Sequence, residues 1–319
     1  MRSKLISKFQ DPSRGVYFLG TTPPKSSIEG EKLAEISSKL IRRIESIEVD
    51  GFIVYDIQDE SSRTELPRPF PFTATHDPCA WSKRLRDEAN IPVITYKSVS
   101  ARSKDEFQQW LTESWNNFSV RDIVLVGSPS SNNNIKLPLA QAYDVIKNHP
   151  ENFNLGGVTI AERHAIKGDE HLRIINKSVS GCEFFITQAV YNAQATIDMI
   201  SSYARTCKER GIEPKRLILT FTPCGSVKTL EFMEWLGISV PTATKHRILD
   251  ANNPLAESIT LCRNTLEQII ETALPLNIPL GLNIESLTNR KEEIDASIRL
   301  YKLLKATLDL KLAERALSY

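Results

Sequence analysis

The sequence has no excess of charge, with 40 Lys and Arg against 39 Asp and Glu over 319 residues. Nothing global draws it to nucleic acid or to an anionic membrane, so any partner must be chosen by a local site. Cysteine is scarce: Cys79, Cys182, Cys207, Cys224 and Cys262 are odd in number, widely spaced and without a CxxC pair. That argues against a disulfide framework and against structural zinc. Of the five histidines, only His164 and His76 fall near a strand end or a long loop, which leaves no multi-histidine metal site to expect. No run approaches the ~18 apolar residues of a membrane span, and the start MRSKLISKFQDPSRG lacks the apolar stretch of a secretory signal. The expected location is the cytoplasm. A dinucleotide-binding turn is missing too: Gly20-Thr21-Thr22-Pro23-Pro24 stands where GxGxxG would follow the first apolar run.

What is present is an alternation. Short β-branched runs predict strands at Gly15–Thr21, Gly51–Ile57, Ile91–Ser98, Asp122–Ser128, Leu155–Ala161, Glu183–Ala189, Arg216–Thr222 and Leu280–Ser286. Apolar residues three and four apart predict helices at Glu29–Glu48, Pro78–Ala89, Lys104–Trp115, Leu137–Asn148, Asp169–Val179, Ala193–Arg210, Val227–Trp235 and Pro254–Leu274, with Arg290–Leu317 closing the chain. Strands that read as continuous apolar runs, each followed by a helix, predict an α/β fold: a (β/α)8 TIM barrel forming a single domain over residues 1–319. A doubly wound open sheet is the alternative. Besides its C-terminal helices, the barrel carries a long irregular stretch, Asp59–Asp77, whose prolines and phenylalanines suggest an ordered covering loop.

Barrel sites are built at the C-terminal ends of the strands, and this rule turns strands into candidates. Asp56, Asp59 and Glu60 follow strand two, and Tyr96, Lys97 and Ser98 end strand three. Glu162, Arg163 and His164 follow strand five, a carboxylate and an imidazole two residues apart that could hold a proton, a ribose or a phosphate or could simply cap a loop. Gln188 ends strand six, where an amide can read a heterocycle by donor and acceptor at once, and Tyr191 lies just beyond. Cys224 follows strand seven and reads as a packed cysteine, and Glu285 ends strand eight. Ser128 and Ser130 follow strand four, and the nearby Asn132–Asn134 reads as loop.

Two segments resemble the methylenetetrahydrofolate reductase family. Gly181-Cys-Glu-Phe-Phe-Ile-Thr-Gln188 is similar to that family's GADFxITQ, and Ile160-Ala-Glu-Arg-His164 to its YPExH. Lys177 matches the lysine of its KVxAG stretch, Ser61-Ser62-Arg63-Thr64 resembles its RDRT, and Leu230–Pro241 and Ser286-Leu-Thr-Asn289 fall where it has LxxxxxxxVP and TLN. The resemblance implies a (β/α)8 flavoprotein of one-carbon metabolism: FAD at the barrel mouth takes a hydride from NAD(P)H and passes it to methylenetetrahydrofolate. Carried over by position, Glu162, His164 and Lys177 would lie along the flavin's ribose and diphosphate, and Gln188 would touch the folate or the flavin ring; Tyr191, just beyond Gln188, is a further substrate-binding candidate.

Three positions depart from the family. Gly20 replaces the glutamate of FEFFPP, Val126-Gly127-Ser128-Pro129 lacks the arginine and acid of RGD, and Val93 replaces the histidine of PHLTC. Asp56 and Glu285 are the replacement acids expected at the mouth. Two alternatives follow from the losses: a flavin-free reductase acting directly between NAD(P)H and folate, and a paralogue that binds a folate-type ligand or serves as an accessory subunit. A homo-oligomer or a partner protein is compatible with each.

Overall fold

The apolar runs form strands whose two faces are both covered, one by helices and one by the opposing strands of a closed sheet. A computed structural model describes residues 3–60, 64–128 and 135–317. The chain begins with α1 (Ile6–Gln10), β1 (Tyr17–Thr21), α2 (Gly30–Ile44), β2 (Gly51–Val54), α3 (Pro78–Ala89), β3 (Val93–Ser98), α4 (Lys104–Asn116) and β4 (Asp122–Val126). It continues with α5 (Leu139–Lys147), β5 (Asn154–Thr159), α6 (Ala161–Lys167), α7 (Glu170–Val179), β6 (Phe184–Ala189), α8 (Ala193–Arg210), β7 (Arg216–Phe221) and α9 (Val227–Trp235). The last elements are α10 (Thr242–Leu249), α11 (Pro254–Ala273), β8 (Leu280–Ile284) and α12 (Lys291–Ala316). The strands close in chain order, β1 to β8, into a (β/α)8 barrel. Each of the eight expected strands is present. Three helices were not expected from the sequence: α1, α6 and α10.

The chain gathers into two compact units of interleaved sequence. The first holds the segment up to Ser7, Phe18–Val158 and Val179–Glu183. Its strands pair in parallel register, with Ile53 beside Ile94, Val54 beside Thr95 and Tyr96 beside Val124. Phe18, Phe52, Ile53, Val54, Ile94 and Val124 are wholly buried, each worth about 1.5–3 kcal/mol of transfer free energy. At the start of β4, Asp122 accepts the Ser3 hydroxyl at 2.5 Å and the Asn154 amide at 2.6 Å, and burial pushes its carboxyl up to about 6. Helix α3 starts sharply because Asp77 accepts the N–H groups of Cys79 and Ala80 and Pro78 occupies the first helical position.

The second unit holds Lys8–Tyr17, Thr159–Ser178 and the chain from Phe184 onward. Arg216, at the start of β7, is 1% exposed. Its guanidinium donates to the carbonyls of Phe9, Arg14, Lys8, Asp11 and Leu280, so the buried cation is satisfied by backbone dipoles. That set of bonds explains α1 and the turn after it: the segment wraps the guanidinium, and the Phe9 ring stacks on Phe184 at 4.4 Å.

Candidate functional site at the ends of strands β5 and β6

Strand alternation decides which residues face the helices. Thr159 at the end of β5 reaches Met199 on α8, and Thr95 on β3 bonds Ser82 on α3 at 2.8 Å. Positions of that parity are therefore helix-facing, and their neighbours face the inside of the barrel. On β8 a Cβ at Gly281 would meet the Val16 side chain at 2.4 Å, and Asn283 donates to the Thr220 hydroxyl at 3.1 Å. Glu285 follows two residues after Asn283, its N–H still in the ladder on the Phe221 carbonyl. It therefore lies on the inner face, half-buried.

In the second unit, three segments singled out in the sequence come together. Gln188 donates its side-chain amide to the Leu236 carbonyl at 2.6 Å, and Glu162 accepts the Ser239 N–H at 3.2 Å. Leu236 and Ser239 belong to the loop between α9 and α10, so one loop is tied to the ends of β5 and β6 by two bonds of opposite polarity. This loop is the second half of the proline-ended segment Leu230–Pro241, whose first half is the end of α9. Gln188 keeps an oxygen, since its Oε1 has no partner among the described residues, whereas the Glu162 carboxylate accepts its own N–H besides that of Ser239. Burial pushes the Glu162 carboxyl up, opposed by its own N–H and that of Ser239. The result is a half-buried amide acceptor beside a carboxyl that holds its proton to higher pH than usual. Together they can hydrogen-bond a polar heterocycle. Nothing in the sequence indicated that Ser239 and Leu236 would anchor them.

The other candidates lie elsewhere. Helix α6 starts immediately after β5, so His164 sits on a helix rather than at a strand end. It is buried, with Nε2 3.3 Å from the Ser202 hydroxyl of α8 and its ring against His171 of α7 at 5.2 Å. Lys177 lies in the last turn of α7, the end that leads into the start of β6. Tyr191 is 4% exposed, and its hydroxyl donates to the Thr222 carbonyl at 2.6 Å, so it braces the end of β7. Cys224 and Cys262 are buried with it, and burial pushes both thiols up to about 12, which leaves them unreactive.

In the first unit, Asp56 has the parity of Val54 and stands beside Lys97 on the helix-facing side. Its carboxylate accepts the Ser98 N–H at 2.9 Å and the Gln58 amide at 2.7 Å, and lies 3.4 Å from the Lys97 ammonium. Both side chains are nearly buried, 4% exposed for Lys97 and 6% for Asp56, and the ammonium lies over the Trp110 ring of α4 at 5.3 Å. The expectation that Asp56 projects into the mouth is not met, because one step of alternation turns it outward; Tyr55 and Tyr96 take the inner face, edge to face at 4.9 Å. At the described end of the loop that follows β2, His76 donates its N–H to the Pro24 carbonyl and Ser26 donates to that of Ala74, both at 2.9 Å. Arg63 and its two preceding serines, Pro129, Ser130 and Asn132–Asn134 lie outside the described residues.

The residues assigned to FAD by resemblance do not fit it. Glu162 is tied to Ser239, His164 is enclosed by α7 and α8, and Lys177 stands at the far end of α7, so the three do not converge on one diphosphate. Among the described residues no cluster of metal-ligating side chains occurs and no helix is long and apolar enough to cross a membrane.

No protein-family model matches the chain, and no curated protein matches it. Among solved structures, an uncharacterized protein from Clostridium thermocellum that binds two copies of 5-methyl-5,6,7,8-tetrahydrofolic acid is 38% identical. That match has a TM-score of 0.82 and covers 95% of this chain and 99% of the other. Dihydropteroate synthase from Xanthomonas albilineans, solved with 4-aminobenzoic acid, aligns over 93% of this chain and 94% of its own at 11% identity and a TM-score of 0.44. So weak a likeness carries no argument. The chain belongs to the family of the Clostridium thermocellum protein.

Proposed function

We propose that this chain binds a reduced folate at the ends of β5 and β6 and acts on it as a methylenetetrahydrofolate reductase-like enzyme that needs no bound flavin. The observation that carries the reading is the near full-length relative that binds 5-methyltetrahydrofolic acid. The convergence of Glu162, Gln188 and the Leu236–Ser239 turn supports the location. The Gln188 amide is already oriented by Leu236, so its free oxygen is available to the N–H groups of a pterin ring.

The flavin-free form follows from the misfit of Glu162, His164 and Lys177 to FAD, and from the loss of the family's acids at Gly20 and after β4. The step is then direct. NAD(P)H gives a hydride to the methylene carbon of methylenetetrahydrofolate, one carbon–nitrogen bond breaks, and the freed nitrogen takes a proton. The products are NAD(P)+ and methyltetrahydrofolate. Glu285, an acid on the inner face of β8, is the group we assign to supply the proton.

Two measurements on the purified protein test this. The protein should be colourless, should take up no flavin when FAD is added, and should consume NADH or NADPH only when methylenetetrahydrofolate is present. Yellow protein with the absorbance of oxidised flavin would overturn the flavin-free form. Colourless protein that binds 5-methyltetrahydrofolate yet never oxidises NADH or NADPH would leave the folate-binding, accessory reading in place of the enzyme. Failure to bind any reduced folate would overturn both.

A further inference from the structure

Helix α7 opens on a carboxylate with no exposed surface. Glu170 is 0% exposed, and an apolar side chain of similar size would be buried there at far lower cost. Its Oε1 accepts the Ile160 N–H at 3.1 Å. Its Oε2 is buried without a hydrogen-bond partner among the described residues. The Arg173 Nε lies 3.7 Å from that oxygen, beyond hydrogen-bond reach, and is nearer to Asp169 at 3.4 Å. The bond to Ile160 is therefore what the buried carboxylate serves.

Ile160 is the residue at which β5 becomes α6. It occupies the N-cap of α6 with a side chain that cannot cap, and the helix is only seven residues long, ending on Gly168 in the left-handed region at φ 68°. So short a helix does not set its own geometry. In a capping box the N-cap N–H is held by a glutamate three residues on; here that place is taken by Arg163, and Glu170 supplies the acceptor from the next helix instead. A second hold lies further along, where His164 Nε2 is 3.3 Å from the Ser202 hydroxyl and its ring packs on His171. Between these two holds stands Glu162.

We propose that Glu170 is a positioning residue: through the Ile160 N–H it fixes the turn that aims the Glu162 carboxyl, beside Gln188, at the ligand. Wholly buried, Glu170 touches no ligand itself. The identity of the ligand rests on the folate reading above; the aim of the carboxyl does not.

Two readouts on the full chain test this, with circular dichroism to check that each variant folds. The first is NMR of carbon-labelled glutamate side chains, the Glu162 signal being assigned by its loss in Glu162→Gln. Burial holds the wild-type Glu162 carboxyl above the ordinary range. Glu170→Leu keeps the bulk and removes the acceptor, so the Glu162 titration should fall toward that of an ordinary glutamate. Glu170→Thr, too short to reach Ile160, takes its place if it does not fold. Glu170→Gln keeps an acceptor oxygen and should titrate as the wild type does. The second readout is calorimetry with 5-methyltetrahydrofolate. Glu170→Leu should weaken binding roughly fivefold, Glu170→Gln less than twofold and Glu162→Ala roughly tenfold. Adding Glu170→Leu to Glu162→Ala should weaken it no further, because a residue that acts through Glu162 then has nothing to act on. A Glu162 titration that Glu170→Leu leaves unchanged overturns the inference, as does one that Glu170→Gln moves equally, or losses of affinity that simply multiply. A wild type that binds no reduced folate, with the Glu162 titration moved by Glu170→Leu and kept by Glu170→Gln, supports the positioning role and overturns the folate reading.

Discussion

The ends of β2 and β3 and the ends of β5 and β6 carry similar residues in sequence, an acid and a partner just beyond an apolar run, and the fold uses them in different ways. Asp56 and Lys97 stand side by side on the helix-facing side, nearly buried and paired, with the Ser98 N–H and the Gln58 amide completing the carboxylate. Glu162 and Gln188 each give one atom to the loop between α9 and α10, and Gln188 keeps an oxygen without a partner among the described residues. The first set closes on itself, and the second is anchored yet unfinished. A polar group at a strand end is therefore a site candidate only when its parity and its partners leave it something to bind with.

Breaking the closed set should have the largest effect. Lys97→Met leaves the Asp56 carboxylate buried without its cation, and it should cost about 3–5 kcal/mol in chemical denaturation with no change in folate affinity. A loss below about 1 kcal/mol, the range of exposed pairs, would show that the pair is solvated and that the contrast between the two regions is false.

A smaller effect is expected at Tyr191, which the sequence grouped with Gln188. Tyr191→Phe removes one hydrogen bond to Thr222 and should cost about 1 kcal/mol of stability while leaving folate affinity within twofold. A tenfold loss of affinity would return Tyr191 to the ligand site.

The smallest change separates the anchored acid from an ordinary surface carboxylate. The folded-state pKa of Glu162 is raised by burial, so the folded protein holds this proton more tightly than the unfolded chain does. Its contribution is fully present below the unfolded value and is lost as pH rises through the folded one. Wild-type stability relative to Glu162→Gln should therefore decline as pH rises from the ordinary glutamate range toward neutrality. A flat difference between the two would mean that Glu162 is solvated.

The barrel was legible in the sequence because short continuous apolar runs alternate with longer period-3.6 segments, and every expected strand lies where its run does. The site was legible only in part. Gln188 and Glu162 stand on the two most distinctive segments, but what completes them is Ser239 and Leu236, backbone groups of a turn whose chemistry leaves no side-chain signal. His164 was misjudged for a physical reason. Ala161–Lys167 continues as helix directly from β5, and the two residues from Glu162 to His164 turn the side chain by roughly 200°, to the opposite face and into the packed layer. Asp56 fell one step of alternation on the wrong side, since in Tyr55-Asp56 the aromatic ring takes the inner face and the charge finds a buried lysine behind it. Lys97 carried a signal, a single charge inside the apolar run of β3, and it marked a buried ion pair rather than a ligand site.

The central claim is that the ends of β5 and β6 bind a reduced folate. Titration calorimetry of 5-methyltetrahydrofolate into the wild type and Gln188→Ala tests it most directly. The account predicts saturable binding by the wild type and a roughly tenfold weaker dissociation constant for the variant, the loss of one hydrogen bond to the ligand, at nearly unchanged stability. Equal affinity in the two proteins, or no binding by the wild type, would contradict it.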